Sequence, residues 1–219
     1  MKSIAKSNIS KAVIIALIIV PTMLLFQSSQ LKGGKDLKIG KKAPMTSTNL
    51  TGVDGNSYNL DKLTQENGLI VIFSCNTCPF VVGSDGFEGW ERQYNEIYKT
   101  AQENDMGVVL VNSNEAKRTG VDSQVEMKKR AEDNAYKMPY VVDTDSKLAD
   151  AFGAKTTPHA FILDKDKKLV YKGSIDNSWD TKKTELTTYL YNAIANLAEG
   201  KTIEENSTAP RGCSIKRTK

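Results

Sequence analysis

Two cysteines, Cys75 and Cys78, have the residue type and the spacing for redox chemistry. The reactive form of a cysteine is the thiolate, and a helix N-terminus with its free backbone N–H groups lowers a cysteine pKa from about 8.5 to roughly 3.5–7.5. An apolar run, residues 69–73, ends just before the pair, and a segment with helical character follows. We therefore expect a buried strand to deliver the pair to a helix N-terminus, with Cys75 as the exposed nucleophile and Cys78 as the resolving thiol.

The same cysteine spacing also occurs in structural zinc sites, which need a second pair of ligands at similar spacing. The other candidate ligands in this chain are Cys213 and the single histidine, His159. These two residues do not form a second pair, so the sequence favours redox chemistry and predicts no metal site.

The surrounding pattern alternates strands and helices, which favours a parallel sheet in an α/β domain. Before the cysteines, residues 45–60 predict a hairpin that turns at residues 53–55. After the cysteines we expect, in order, a helix from residue 85 or 87 to 104, a strand at 106–112, a helix at 122–137, a strand at 140–142, a helix at 146–152, a hairpin of residues 160–164 and 169–173, and a helix at 181–200.

The N-terminus has the pattern of an export signal. Lysines without any acid precede the apolar residues 12–26, a segment that is short for a membrane span of about 20 residues. We therefore interpret residues 1–26 as a signal peptide or an N-terminal membrane anchor and expect export to the cell envelope or periplasm. A retained leader would leave the domain outside the membrane. Residues 27–43 then form a linker, residues 44–200 the catalytic domain, and residues 201–219 a basic tail.

The charge of the chain argues against nucleic-acid binding. Removing Lys2, Lys6 and Lys11 of the leader from the 30 basic residues leaves 27, against 26 acidic residues. The remainder is thus almost neutral, and a nucleic-acid partner has no electrostatic support.

Five motifs carry a wider resemblance. They are FSCNTCPF at residues 73–80, VNSNE at 111–115, TTPHAFILD at 156–164, YKGSID at 171–176 and RGCSIK at 211–216. With these motifs the chain resembles the thioredoxin superfamily, and more closely its peroxiredoxin-like AhpC/TSA redoxin proteins, over about residues 40–216. The resemblance implies a thioredoxin-like fold, in which a central mixed sheet is flanked by helices and the hairpin forms an N-terminal extension.

The resemblance also assigns roles near the cysteine pair. It implies that Pro158 is a cis proline facing the pair and that Thr157 offers its backbone to an extended substrate segment. An ordinary turn proline is the alternative for Pro158. His159 either lies near the pair and modulates its charge or is a packing residue at the start of a strand.

Two positions depart from the family pattern. Peroxiredoxins have Thr or Ser three residues before the peroxidatic cysteine, whereas this chain has Ile72 before Cys75. Thioredoxins carry a buried carboxylate on the central strand, whereas residues 69–73 contain none. The usual peroxide pocket and the usual proton acceptor are therefore not expected here.

Cys213 is the odd thiol of the chain. Basic residues surround it, and the polar residues 207–210 before it suggest a mobile arm. Two interpretations stay open, namely a third, resolving thiol that pairs with Cys75 or Cys78 during turnover and a tail cysteine buried against the domain.

Three functions follow from these residues. The leading one is an exported thiol-disulfide oxidoreductase that exchanges electrons with protein disulfides or a dithiol reductant and needs no cofactor besides its own redox-active disulfide. The second is a thiol-dependent peroxidase in which Cys75 attacks peroxide. The third is a copper-binding chaperone with Cys75, Cys78 and His159 as soft ligands.

Overall fold

The computed structural model describes residues 36–218. The strands are β1 (Leu50–Gly52), β2 (Ser57–Tyr58), β3 (Gly68–Ser74), β4 (Met106–Asn112), β5 (Tyr140–Val142), β6 (Thr156–Thr157), β7 (His159–Leu163), β8 (Leu169–Gly173) and β9 (Cys213–Ser214). The helices are α1 (Leu60–Leu63), α2 (Pro79–Val82), α3 (Tyr94–Glu103), α4 (Gln124–Asp133), α5 (Lys147–Phe152) and α6 (Tyr189–Ala198).

Seven strands form one mixed sheet in the order β2-β1-β5-β4-β3-β7-β8. Strand β4 lies between β3 and β5 and is parallel to both. Strands β1, β7 and β8 are added in antiparallel orientation, and β1 with β2 forms the N-terminal hairpin. The expected fold class, a central mixed sheet with helices and an N-terminal hairpin, is confirmed.

Every residue of β3 is buried, because helices cover both faces of the sheet at this strand. Side chains of a strand point alternately to opposite faces. Ile70 and Ile72 accordingly pack in the core layer that contains α3, α4 and α6. Leu69, Val71 and Phe73 pack in the other layer, with α1 and α5. This packing on both sides fixes the carboxyl end of β3, where the cysteine pair begins.

Helix α3 begins at Tyr94, after a 3₁₀ turn, and not at residue 85 or 87 as the sequence predicts. Gly83, Gly86 and Gly89 all have positive φ angles, of 96°, 83° and 77°, which a right-handed helix does not contain. At Gly89 a Cβ would also lie 2.3 Å from the backbone nitrogen of Gly83. The three glycines therefore form a tightly folded loop in place of the expected first turns of the helix.

Two other helices are shorter than expected. Helix α4 ends at Asp133, before residue 137, and α6 begins at Tyr189, after residue 181. Before α6, the side chain of Asn177 donates to the carbonyl of Glu185 and accepts from the backbone N–H of Thr187. These bonds hold residues 177–187 as a loop.

The leader predicted at residues 1–26 lies outside the described residues. Between residues 36 and 218, no helix combines the length and the apolar character needed to cross a membrane.

Candidate active site

The cysteine pair lies at the carboxyl end of the central strand. Cys75 follows the last residue of β3, and Cys78 is the N-cap residue of α2, with Pro79 in the first helical position. Both cysteines are unpaired and buried. Cys75 is 2% exposed and Cys78 is 4% exposed, so the expected exposure of Cys75 is not found.

Thr157 contacts both sulfur atoms. Its hydroxyl lies 3.1 Å from the Sγ of Cys75, and its carbonyl oxygen accepts a hydrogen bond from the Sγ of Cys78 at 3.0 Å. The Thr157–Pro158 peptide bond is cis, as the resemblance implies. The loop before β7 therefore holds one residue against the whole cysteine pair.

The C-terminal tail covers this site. Strand β9 pairs with β6 in antiparallel orientation, which places Cys213 opposite Thr157. The backbone N–H of Cys213 donates to the Sγ of Cys78 at 3.3 Å. Three cysteines thus meet at one point, and strand pairing places the segment that the sequence predicts to be a mobile arm against the domain.

Buried contacts also hold the end of the tail. Ile215 is 5% exposed and lies in the core layer of α5, and its N–H donates to the carbonyl of Lys155. The backbone N–H of Lys216 donates to the side chain of Asn114 at 2.8 Å. Arg217 forms an ion pair with Asp150 at 2.6 Å. The tail is therefore anchored beyond Cys213 as well as at it.

The three cysteines shift one another's pKa values. The neighbouring Cys75 thiol lowers the pKa of Cys78 below its ordinary value, and the thiol and N–H of Cys213 and the N–H of Phe80 act in the same direction, against the effect of burial. The hydrogen bond with Cys78, together with burial, raises the pKa of Cys75. Burial and then Cys78 raise the pKa of Cys213 to about 11.

The sequence predicts the thiolate at Cys75, the first cysteine of the motif, and this assignment stays a prediction. The Sγ of Cys78 has contacts of both kinds, since it receives the backbone N–H of Cys213 and donates to the carbonyl of Thr157. Cys78 is also the sulfur that faces the docked tail.

A buried carboxylate that the sequence did not single out holds the loop between the cysteines. Asp122 is fully buried and accepts the backbone N–H of Asn76 at 2.9 Å and the side-chain amide of Asn112 at 2.8 Å. Asn114 donates to its other oxygen at 3.1 Å, and the hydroxyl of Tyr140 donates to the Asn76 side chain at 3.0 Å. The motif at residues 111–115 was the available signal, since it supplies two of these partners.

His159 lies in the core and has no polar contact with the cysteines. It is 3% exposed, and its ring packs on Phe161 with centroids 4.4 Å apart. Its Nδ1 accepts the backbone N–H of Lys155 at 3.3 Å. Burial lowers the pKa of His159 to about 3, so the ring is neutral, and these contacts support the packing role over the modulator role.

The copper-binding alternative needs His159 as a third ligand beside the two cysteines, and His159 makes its contacts elsewhere. His159 is directed to Lys155 and Phe161. Among residues 36–218, no group of three or more His, Cys, Asp or Glu side chains is arranged to hold a metal ion.

Comparisons with known proteins decide the family. The family described as Redoxin matches residues 38–190. The chain belongs to the redoxin (AhpC/TSA) family. Among solved structures, this redoxin is similar to an uncharacterized conserved protein from Geobacillus kaustophilus, with 32% identity, a TM-score of 0.74 and coverage of 83% of this chain and 93% of the other.

Other structures support the fold. A hypothetical protein from Sinorhizobium meliloti 1021 is 26% identical, with a TM-score of 0.73 and coverage of 84% of this chain and 97% of the other. The peroxidoxin BcpB from Mycobacterium tuberculosis is 17% identical, with a TM-score of 0.52 and coverage of 76% and 99%, and shows the fold alone. A search of curated proteins found no match.

Proposed function

We propose that this redoxin is a thiol-disulfide oxidoreductase whose redox-active group is the Cys75–Cys78 pair, with no further cofactor. The observation that supports this most strongly is the meeting of the pair, the Thr157–Pro158 loop and a docked strand carrying a third cysteine. A thiolate beside an extended segment is the arrangement that disulfide exchange needs.

The exchange is proposed to begin at Cys78, because its sulfur lies against the docked tail and receives the backbone N–H of Cys213. The Cys78 thiolate attacks one sulfur of a partner disulfide, which forms a mixed disulfide and releases one partner thiolate. The Cys75 thiol then loses its proton and attacks the sulfur of Cys78. This step closes the Cys75–Cys78 disulfide and releases the second partner thiolate, so the partner gains the two electrons that the pair loses. The reverse sequence oxidises a partner dithiol.

Cys213 is proposed to act as a third redox thiol. Its N–H lies 3.3 Å from the Sγ of Cys78, so the two residues are neighbours across the closed site. This proximity is the basis for proposing a disulfide between Cys78 and Cys213 during turnover. Peptide mass spectrometry of the protein after mild treatment with oxidised glutathione tests this, because a Cys78–Cys213 link is expected and a persistently free Cys213 would refute the role.

The partners are proposed to be protein disulfides or a dithiol reductant in the cell envelope or periplasm. The export pattern of residues 1–26 supports this location. Outside that leader the basic and acidic residues almost balance, so no nucleic acid is expected as a partner. An uncleaved leader would attach the protein to the membrane.

An insulin-reduction assay coupled to a dithiol, with a redox titration, tests the activity. The full-length protein is expected to reduce insulin disulfides, and Cys75→Ser and Cys78→Ser are each expected to abolish turnover. The variant Cys213→Ser keeps the pair and is expected to retain part of the turnover, and the part that is lost measures the contribution of the third thiol. Equal rates for the wild type and Cys78→Ser would refute the proposal.

A thiol peroxidase is the second candidate, and one feature favours it. A cavity of about 80 Å³ lies between the three cysteines and is bordered by Lys117 and Lys216. This volume exceeds the roughly 10–15 Å³ that a cavity needs to hold one water, so the space admits a molecule of the size of hydrogen peroxide. Peroxide consumption that depends on Cys75 and on a dithiol would favour this candidate, whereas insulin reduction without peroxide consumption would exclude it.

A further inference from the structure

The docked tail is bound in the way an extended peptide would be. Strand β9 adds to the edge of β6 through the pairs Thr156–Ser214 and Thr157–Cys213. Addition of a strand to an exposed edge supplies main-chain hydrogen bonds, and neighbouring pockets select the side chains. The contacts of residues 211–213 therefore describe which segment this edge accepts.

The position before the cysteine requires glycine. A Cβ on Gly212 would lie 2.2 Å from the carbonyl oxygen of Thr157 and 2.7 Å from its carbonyl carbon. Both atoms belong to the backbone of the loop that holds the cysteine pair, so they have little room to shift. Any side chain at this position would separate the segment from β6.

The position before the glycine, residue 211, carries a cation beside two aromatic rings. The guanidinium carbon of Arg211 lies 4.5 Å from the ring centroid of Trp179 and 5.6 Å from that of Phe80. Distances of this size permit cation–π attraction. The backbone N–H of Arg211 donates to the hydroxyl of Ser174 at 3.2 Å. The site thus recognises a basic residue, a glycine and a cysteine in consecutive positions.

We propose that the β6 edge and the Trp179–Phe80 rings form a binding site for an extended protein segment with the pattern Arg/Lys-Gly-Cys, and that residues 211–213 are its built-in occupant. This inference rests on the proposed function in one respect, namely the disulfide exchange that the partner's cysteine undergoes once the segment is bound. A partner of this class binds by displacing strand β9, and its cysteine then lies where Cys213 lies, against Cys78.

The protein's own tail is expected to compete with a partner segment for this site. A segment that is covalently linked to its site competes at an effective concentration of about millimolar. A free peptide is therefore expected to bind poorly to the wild type and better to a variant whose own tail is dislodged. Gly212→Ala dislodges it directly, through the contact with Thr157. Ser214→Ala is the matched control, since Ser214 is an exposed residue of the same strand.

The experiment measures fluorescence anisotropy of a labelled peptide, Ser-Thr-Ala-Pro-Arg-Gly-Ser-Ser-Ile-Lys-Arg. This peptide copies residues 207–217 with serine in place of cysteine, so binding needs no thiol chemistry. The full-length Gly212→Ala protein is expected to bind it at least tenfold more tightly than the wild type or Ser214→Ala does. A peptide with alanine in place of its glycine is expected to bind at least tenfold more weakly, and one with glutamate in place of its first arginine is also expected to bind more weakly.

A second variant protects the test against misfolding of the first. Arg217→Ala removes the ion pair with Asp150 at the far end of the tail and is also expected to increase peptide affinity. Equal affinity for the glycine and alanine peptides, or equal binding by the wild type and both tail variants, would refute the site. Peptide binding without insulin reduction would refute the proposed function and support the peptide site. Insulin reduction without peptide binding would refute the peptide site and support the proposed function.

Discussion

The carboxylate of Asp122 accepts the backbone N–H of Asn76 at 2.9 Å in a fully buried position. This bond ties the residue after Cys75 to the segment that follows β4. The same oxygen also accepts from the side chain of Asn112, the last residue of β4. The segment between the two cysteines is therefore held by a polar contact from outside the motif.

Asp122→Ala is expected to destabilise the protein and disturb the cysteine pair. Three buried donors, the Asn76 N–H and the side-chain amides of Asn112 and Asn114, lose their acceptor, and each unsatisfied buried group costs about 1–3 kcal/mol. Urea unfolding measures the free energy, and a redox titration reports the pair. Asp133→Ala, an exposed carboxylate at the end of α4, is the control and is expected to change stability by less than about 0.5 kcal/mol. A similar small change for Asp122→Ala would show that the loop does not depend on this bond.

Gly89→Ala is expected to destabilise the protein more than Gly86→Ala does. Both glycines have positive φ angles, which cost a residue with a Cβ about 1–2 kcal/mol. Only Gly89 has backbone atoms 2.3 Å and 2.4 Å from the position of a Cβ, since nothing lies within 4 Å at Gly86. The difference between the two unfolding free energies, measured in urea, isolates this close approach. Equal losses of unfolding free energy in the two variants would mean that the loop accommodates a Cβ at Gly89 by relaxing.

The parts of the site that follow from local sequence were predictable. The apolar residues 69–73 and the cysteines after them predict a buried strand that ends in a dithiol, and β3 has this form. The cis bond before Pro158 followed from the resemblance of its motif. These features depend on neighbouring residues, so one sequence is enough to find them.

The remaining features depend on contacts between distant residues. Cys78 and Cys213 are 135 positions apart, and the polar residues before Cys213 have the composition of a linker. The strand pairing with β6 and the burial of Ile215 determine where the tail lies, and neither leaves a periodic pattern. The contact between Cys213 and Cys78 could not be predicted for this reason, because it depends on where the tail docks.

Trapping of mixed disulfides will identify the attacking sulfur. In a Cys213→Ser background, Cys75→Ser is expected to accumulate a mixed disulfide with insulin faster than Cys78→Ser, because the backbone N–H groups of residues 213 and 80, which these variants retain, favour a thiolate at Cys78. Non-reducing electrophoresis over time measures the two rates, and Cys213→Ser alone, which retains both cysteines of the pair, is the control that releases its product. Faster trapping by Cys78→Ser would assign the attack to Cys75, in agreement with the sequence-based prediction.

The single histidine is expected to make folding stability depend on pH. Burial lowers the pKa of His159 to about 3, below its ordinary value of about 6.5. Between these values the unfolded chain binds one more proton than the folded protein at this residue, so stability falls as the pH decreases from 6.5 towards 3. The histidine contribution to this loss is about 1.4 kcal/mol for each pH unit, or about 2 kcal/mol between pH 7 and pH 5.

Comparison with His159→Gln separates this effect from the carboxylates, which are the same in both proteins. The free energy of unfolding in urea is expected to fall more steeply below pH 6.5 in the wild type than in His159→Gln, so the difference between the two proteins changes by about 2 kcal/mol between pH 7 and pH 5. The charged groups near the ring are Lys172, Asp36 and Lys155, and the two lysines oppose its protonation. Parallel curves would show that His159 titrates normally, in which case it would be accessible to solvent and not packed against Phe161.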